Sequence, residues 1–115
     1  MIKYRIYAGL SGGFGGATYQ GTYEYSSYKE AMRDAYRMAE EEYQSYEGYH
    51  GILSYDEVEE DLRESGFIGD DMTDNEIEDC VSSHYLEEIE SWIVYDAIID
   101  DDSPIEDYLK DCKPQ

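Results

Sequence analysis

The chain has 115 residues, enough for about one domain, and its 14 Tyr, single Trp and two Pro with periodic apolar positions argue against disorder despite a formal net charge of −21. That charge is unevenly placed: residues 1–38 hold five basic and three acidic side chains, net +2, while residues 39–115 hold 26 acidic and three basic ones, net −23. There is no run of about 18 apolar residues and no basic segment leading into an apolar stretch, so a soluble, cytoplasmic protein is expected, one that anionic lipid or nucleic acid would repel.

Ile2-Lys3-Tyr4-Arg5-Ile6-Tyr7-Ala8 alternates, with Ile2, Tyr4, Ile6 and Ala8 on one face and Lys3, Arg5 and Tyr7 on the other, which predicts a half-buried strand. After a glycine-rich loop over 9–16, residues 17–25 alternate again and place Tyr19, Tyr23 and Tyr25 opposite Thr18, Gln20, Thr22 and Glu24. The two strands read as a hairpin. From Ser27 the period becomes helical. Ser27 and Glu30 have capping-box spacing, and Tyr28, Ala31, Met32, Ala35, Tyr36, Ala39, Tyr43 and Tyr46 share one face up to a stop at Gly48.

The same start signal recurs at Ser54 with Glu57, Thr73 with Glu76 and Ser103 with Glu106, the last with Pro104 at the first helical position. Leu53 with Val58 and Met72 with Ile77 have the spacing of hydrophobic staples. Helices are therefore expected over 55–64 and 74–90, and a fourth after Ser103. Residues 92–99, rich in β-branched and aromatic side chains, predict a strand buried on both faces or lying beside the first one. The order β-β-α-α-α-β-α defines a single α+β domain over 1–115, a small antiparallel sheet packed with about four helices, with 110–115 as a disordered tail.

Few features suggest chemistry. The 9–16 loop lacks the Lys, the Ser or Thr and the following helix of a phosphate-binding loop, and no GxGxxG register fits. It reads as a flexible hairpin loop whose exposed Phe14 could insert into a partner. Cys80 and His84 lie four apart on one helix face, where a thiolate with its base or two metal ligands could sit. The same face carries Ile77 and Val81, so core packing is the stronger reading, and no further His or Cys completes a tetrahedral set. Cys80 and Cys112 form no CxxC pair and read as idle thiols; His50 reads as a turn residue. Neither 70–79 nor 100–111 has the EF-hand order. No catalytic residue, metal or cofactor is expected.

The acidic runs remain. Asp56, Glu57, Glu59, Glu60, Asp61 and Glu64 fill six of nine positions, and Asp70, Asp71, Asp74, Glu76, Glu78 and Asp79 fill six of ten. A nine-residue helix spans about 13 to 14 Å, a length over which duplex DNA carries roughly eight charges. The two densities are comparable. A near-neutral segment followed by such a polyanionic one suggests a surface that meets a positively charged partner. The runs 56–64 and 70–79, with Glu40-Glu41-Glu42, Glu87-Glu88, Glu90 and Asp100-Asp101-Asp102, resemble as a class the phage and mobile-element proteins that mimic DNA, among them anti-restriction and anti-CRISPR inhibitors.

That resemblance implies a mode of action and transfers no single residue. It implies a non-enzymatic inhibitor whose carboxylates occupy the basic channel of a nucleic-acid-binding protein, such as a CRISPR effector or restriction enzyme, without binding nucleic acid directly. The 56–79 segment is the expected contact, with Tyr43, Tyr46, Tyr49 and Tyr55 as less polar anchors. The tyrosine-rich surface also admits a homodimer. The alternative is a small acidic structural or regulatory adaptor whose charge serves solubility.

Overall fold

β1 (Ile2–Leu10) is the central strand of a three-stranded antiparallel sheet, flanked by β2 (Gly16–Tyr25) and β3 (Ile93–Ile99). The computed structural model describes residues 1–107. Three helices complete these residues: α1 (Tyr28–Ser45), α2 (Tyr55–Ser65) and α3 (Asp74–Trp92). The α+β class, the hairpin and the pairing of the late strand with the first are as expected. Trp92 closes α3 rather than opening β3.

The alternation of β1 sends Tyr4, Ile6, Ala8 and Leu10 toward α1, which answers with Ala31, Ala35, Ala39 and Tyr43 at a spacing of four. Three of those four are alanines, so the helix lies close to the sheet and its stripe is fully buried. α1 starts at Ser27, whose Oγ accepts from the Glu30 amide at 3.2 Å. The reciprocal half of the box is displaced by one residue, because the Glu30 carboxylate accepts from the Ser26 amide at 3.1 Å and from the Ser26 hydroxyl. The helix ends at Ser45, and the turn beyond it contains Gly48 and His50, both at positive φ. His50 is thus the turn residue its neighbours suggested. α2 and α3 open with complete capping boxes, Ser54 with Glu57 and Thr73 with Glu76. Leu53, Met72 and Ile77 pack around the shared core of Val58, Leu62, Ile68 and Val81.

Three expectations are corrected. First, β1 is buried on both faces from Tyr4 to Leu10, not half-buried; Arg5 is only 5% exposed and Tyr7 only 2%. Second, a bulge pairs Ile6 with Gly21 and Tyr7 with Tyr19, leaving Gln20 unmatched. A one-residue slip reverses every side chain beyond it, so Tyr19 joins Tyr7, Ala17 and Val94 on the face away from α1, not the face of Tyr23 and Tyr25. Gly21 allows this: its φ is +147°, and a Cβ there would meet the Tyr23 hydroxyl at 2.7 Å and the ring at 2.8 Å.

Third, no helix begins at Ser103 within the described residues. Residues 100–107 form an irregular strap over that second sheet face. The Arg5 guanidinium accounts for this. Its Nε donates to Asp100 Oδ1 at 2.9 Å, and its terminal nitrogens reach Ser103 Oγ and the carbonyls of Ser103 and Pro104. Those carbonyls are the acceptors a first helical turn would need, and Ser103 Oγ donates to Asp101 rather than capping. Tyr7 Oη donates to the Glu106 carbonyl and the Tyr19 amide to that of Asp107, at 2.9 and 2.8 Å, which fastens the far end. The expected tail at 110–115 and Cys112 lie outside the described residues.

The molecule is elongated, with Cα extents of 58 × 30 × 19 Å. α2 and the first half of α3 make a lobe with its own small core. The second half of α3 returns to the main core through Ile89 and Trp92. Tyr85 belongs to both cores, within 6.1 Å of the Tyr43 ring and 5.6 Å of the Tyr55 ring.

Candidate polyanionic interface

Helical periodicity decides which carboxylates of the lobe reach solvent. In α2, Val58 and Leu62 turn inward, which leaves Asp56, Glu60 and Glu64 as an exposed row four residues apart, with Asp61 beside it. Asp70, Asp71 and Asp74 are exposed around the α2–α3 connection, and Glu78 and Asp79 follow on the outer side of α3. The row then breaks. Ser82, Ser83 and Leu86 occupy the next outer positions before acid resumes at Glu87 and Glu90.

Three of the twelve predicted contact residues serve the fold itself. Glu57 Oε1 accepts from the Ser54 amide at 3.1 Å, and Glu76 Oε1 from the Thr73 amide at 3.0 Å. The hydrogen bond from the Thr73 amide, first among its causes, holds the Glu76 carboxyl below its ordinary pKa. Glu59 pairs with Arg63 at 3.2 Å, one turn along. The remaining nine, Asp56, Glu60, Asp61, Glu64, Asp70, Asp71, Asp74, Glu78 and Asp79, make no ion pair among the described residues.

The aromatic anchors are redistributed. Tyr43 is fully buried with its hydroxyl donating to the Leu53 carbonyl at 2.7 Å, so it is core, and Tyr55 is half-buried against Tyr85. Tyr46 packs on Phe14 with ring centroids 4.9 Å apart. Tyr49, 64% exposed, remains available. Sequence reasoning missed Phe67, also 64% exposed and lying between the two acidic runs. The signal was present in Gly66-Phe67-Ile68: Gly66 ends α2 at positive φ, Ile68 turns into the core, and Phe67 faces outward.

Phe14, expected to be exposed and available, is half-buried among Tyr46, His50 and Trp92. The loop around it is a hairpin connection, and Gly9 is fixed there by sterics, since a Cβ would lie 2.1 Å from the Gly16 carbonyl oxygen. Cys80 packs on the lobe core, as the apolar face implied. His84 instead lies beside Phe67 and lines a groove of about 370 Å³ between α2 and α3. Among the described residues no group of three or more His, Cys, Asp or Glu is arranged to hold a metal ion.

Compared with known proteins, the chain matches no family model, no curated protein and no solved structure. Among the described residues no helix is long and apolar enough to cross a membrane.

Proposed function

We propose that the α2–α3 lobe is a polyanion that occupies the basic nucleic-acid-binding surface of another protein and blocks it, with no chemistry of its own. The observation that carries this reading is the charge imbalance of an ordered helical surface. Between Tyr55 and Trp92 there are fifteen carboxylates, six in 56–64, six in 70–79 and three in 87–90, and the only Lys or Arg is Arg63, which Glu59 already engages. Such crowding destabilises the free protein, because at a Debye length of about 8 Å neighbouring carboxylates are only partly screened. A basic partner relieves it. Steering by the long-range field would speed encounter, charge-assisted pairs with Arg or Lys would hold the complex, and Phe67 would add an apolar contact.

Immobilised protein should capture nucleic-acid-binding proteins from a lysate and release them on addition of duplex DNA or on raising salt from about 50 to 200 mM. Reversal of the exposed row, Asp56→Lys, Glu60→Lys and Glu64→Lys together, should abolish capture while the circular dichroism spectrum stays unchanged. Capture indifferent to DNA, salt and the triple reversal would overturn the reading and leave the acidic adaptor.

A further inference from the structure

We propose that the groove between α2 and α3 receives a single arginine side chain of the partner, an inference that rests on the polyanion reading and gives it a defined point of contact. Here the floor is apolar, built from Leu53, Val58 and Leu62, and the rim is acidic, with Asp61 from α2 and Glu87 and Glu88 from α3. None of the three rim carboxylates has an ion pair among the described residues, and Arg63 is held by Glu59. Among the described residues the rim thus has no cation of its own.

The combination selects its ligand. A hydrated divalent ion gains nothing from an apolar floor, and an apolar side chain would strip water from three carboxylates without replacing it. Arginine satisfies both parts, since its methylene stem covers apolar surface while its head stays charged at any ordinary pH. Carboxylates on walls supplied by two different helices suit a planar fork with donors along two edges better than the point charge of lysine. His84 adds an imidazole ring to the lining, and guanidinium planes stack on aromatic faces. The volume of about 370 Å³ falls at the low end of the roughly 300 to 1,000 Å³ of small-molecule sites, which suits one side chain.

The test is a titration of ¹⁵N-labelled protein, in physiological salt, with acetyl-Gly-Arg-Gly-amide and with the same peptide carrying lysine or citrulline. The arginine peptide should shift the amides of Asp61, Leu62, His84 and Glu87 most, and saturably; the uncharged citrulline peptide should not. The double variant Asp61→Asn with Glu87→Gln should weaken the arginine peptide by about tenfold. The charge-matched pair Asp56→Asn with Asp70→Asn should leave it within about twofold. Thermal midpoints of both variants would confirm that the fold is intact. Shifts spread evenly over 56–79, equal binding of the lysine or citrulline peptide, or equal effects of the two double variants would overturn the groove. The two readings fail separately: if the peptide does not seat but DNA still displaces captured proteins, only the groove falls, and if the peptide seats but no captured protein responds to DNA, only the polyanion reading falls.

Discussion

In the body formed by the sheet and α1, the paired charges organise structure. Arg5, almost completely buried, gathers Asp100 and the strap carbonyls against the second face of the sheet, and Arg37 bridges Asp34 and Glu41 at 2.7 and 2.6 Å along α1. In the α2–α3 lobe, nine of the twelve carboxylates of the two acidic runs have no ion pair among the described residues, and the small core beneath them holds the helices together without reference to their charge. Charge that folds a chain is buried or bridged. Charge that the fold does not use, yet keeps on an ordered surface at a cost in repulsion, is what the proposed encounter with a basic partner would put to use.

Removing Arg5 tests the body half of that comparison and should have the largest effect. Arg5→Ala leaves Asp100 mostly buried without its partner and uncovers the acceptors of the strap, at an expected cost of about 3 to 5 kcal/mol in urea unfolding. Arg5→Met combined with Asp100→Asn should recover part of that loss, because an apolar filler leaves no stranded charge. The triple reversal at Asp56, Glu60 and Glu64 should leave the urea midpoint unchanged or raise it. A loss for the triple reversal comparable to that of Arg5→Ala would break the contrast between the two regions.

Titration should separate the regions more finely. Burial raises the pKa of Asp34, but hydrogen bonds from Tyr25 and Arg37 and the Arg37 charge outweigh it and hold the carboxyl below its ordinary 3.8. Its contribution is therefore complete above pH 3.8 and is lost as pH falls through the lower folded value. Hydrogen exchange in α1 should therefore rise as pH falls through that lower value, and Asp34→Asn should remove this acid step. At the alkaline end, burial first, then the hydrogen bond to Glu47 and its charge, push Tyr85 up to about 12. The neutral phenol is the folded form, so this stability is present below pH 10.0 and lost as pH climbs through about 12. Tyr85→Phe should cost about 1 kcal/mol at pH 7 and flatten the alkaline limb of the stability profile.

The elements that were legible in the sequence are those whose causes are local. Ser54 with Glu57 and Thr73 with Glu76 each lie within one helical turn, and the alanine stripe of α1 is a spacing of four. What was not legible depends on partners far along the chain. Ser103 with Glu106 has the same letters as a capping box, yet Arg5, 98 residues away, draws the Ser103 side chain and backbone into another arrangement. The bulge at Gln20 arises from pairing between strands, although Gly21 in mid-strand marked the place. In the candidate site, the twelve carboxylates could be named from composition, and the engagement of Glu59 from its spacing to Arg63. The groove could not, because it exists only once α2 has packed on α3.

Ser54→Ala and Thr73→Ala should each cost about 1 kcal/mol, since each removes the acceptor for one free amide at a helix start. The smallest effect should be the most informative about the lobe. Glu60 sits between Asp56 and Glu64 at i−4 and i+4, and like charges at that spacing destabilise a helix by about 0.2 to 0.5 kcal/mol per pair. Glu60→Gln should therefore raise stability by about 0.4 to 1 kcal/mol in low salt, and the gain should vanish near 1 M salt, where the Debye length is about 3 Å. A stabilising substitution that also weakens capture of basic partners would show stability and binding opposed at a single side chain. If Glu60→Gln instead destabilised the protein, the carboxylate would have a structural role in the free molecule, and its place in the unpaired set would be wrong.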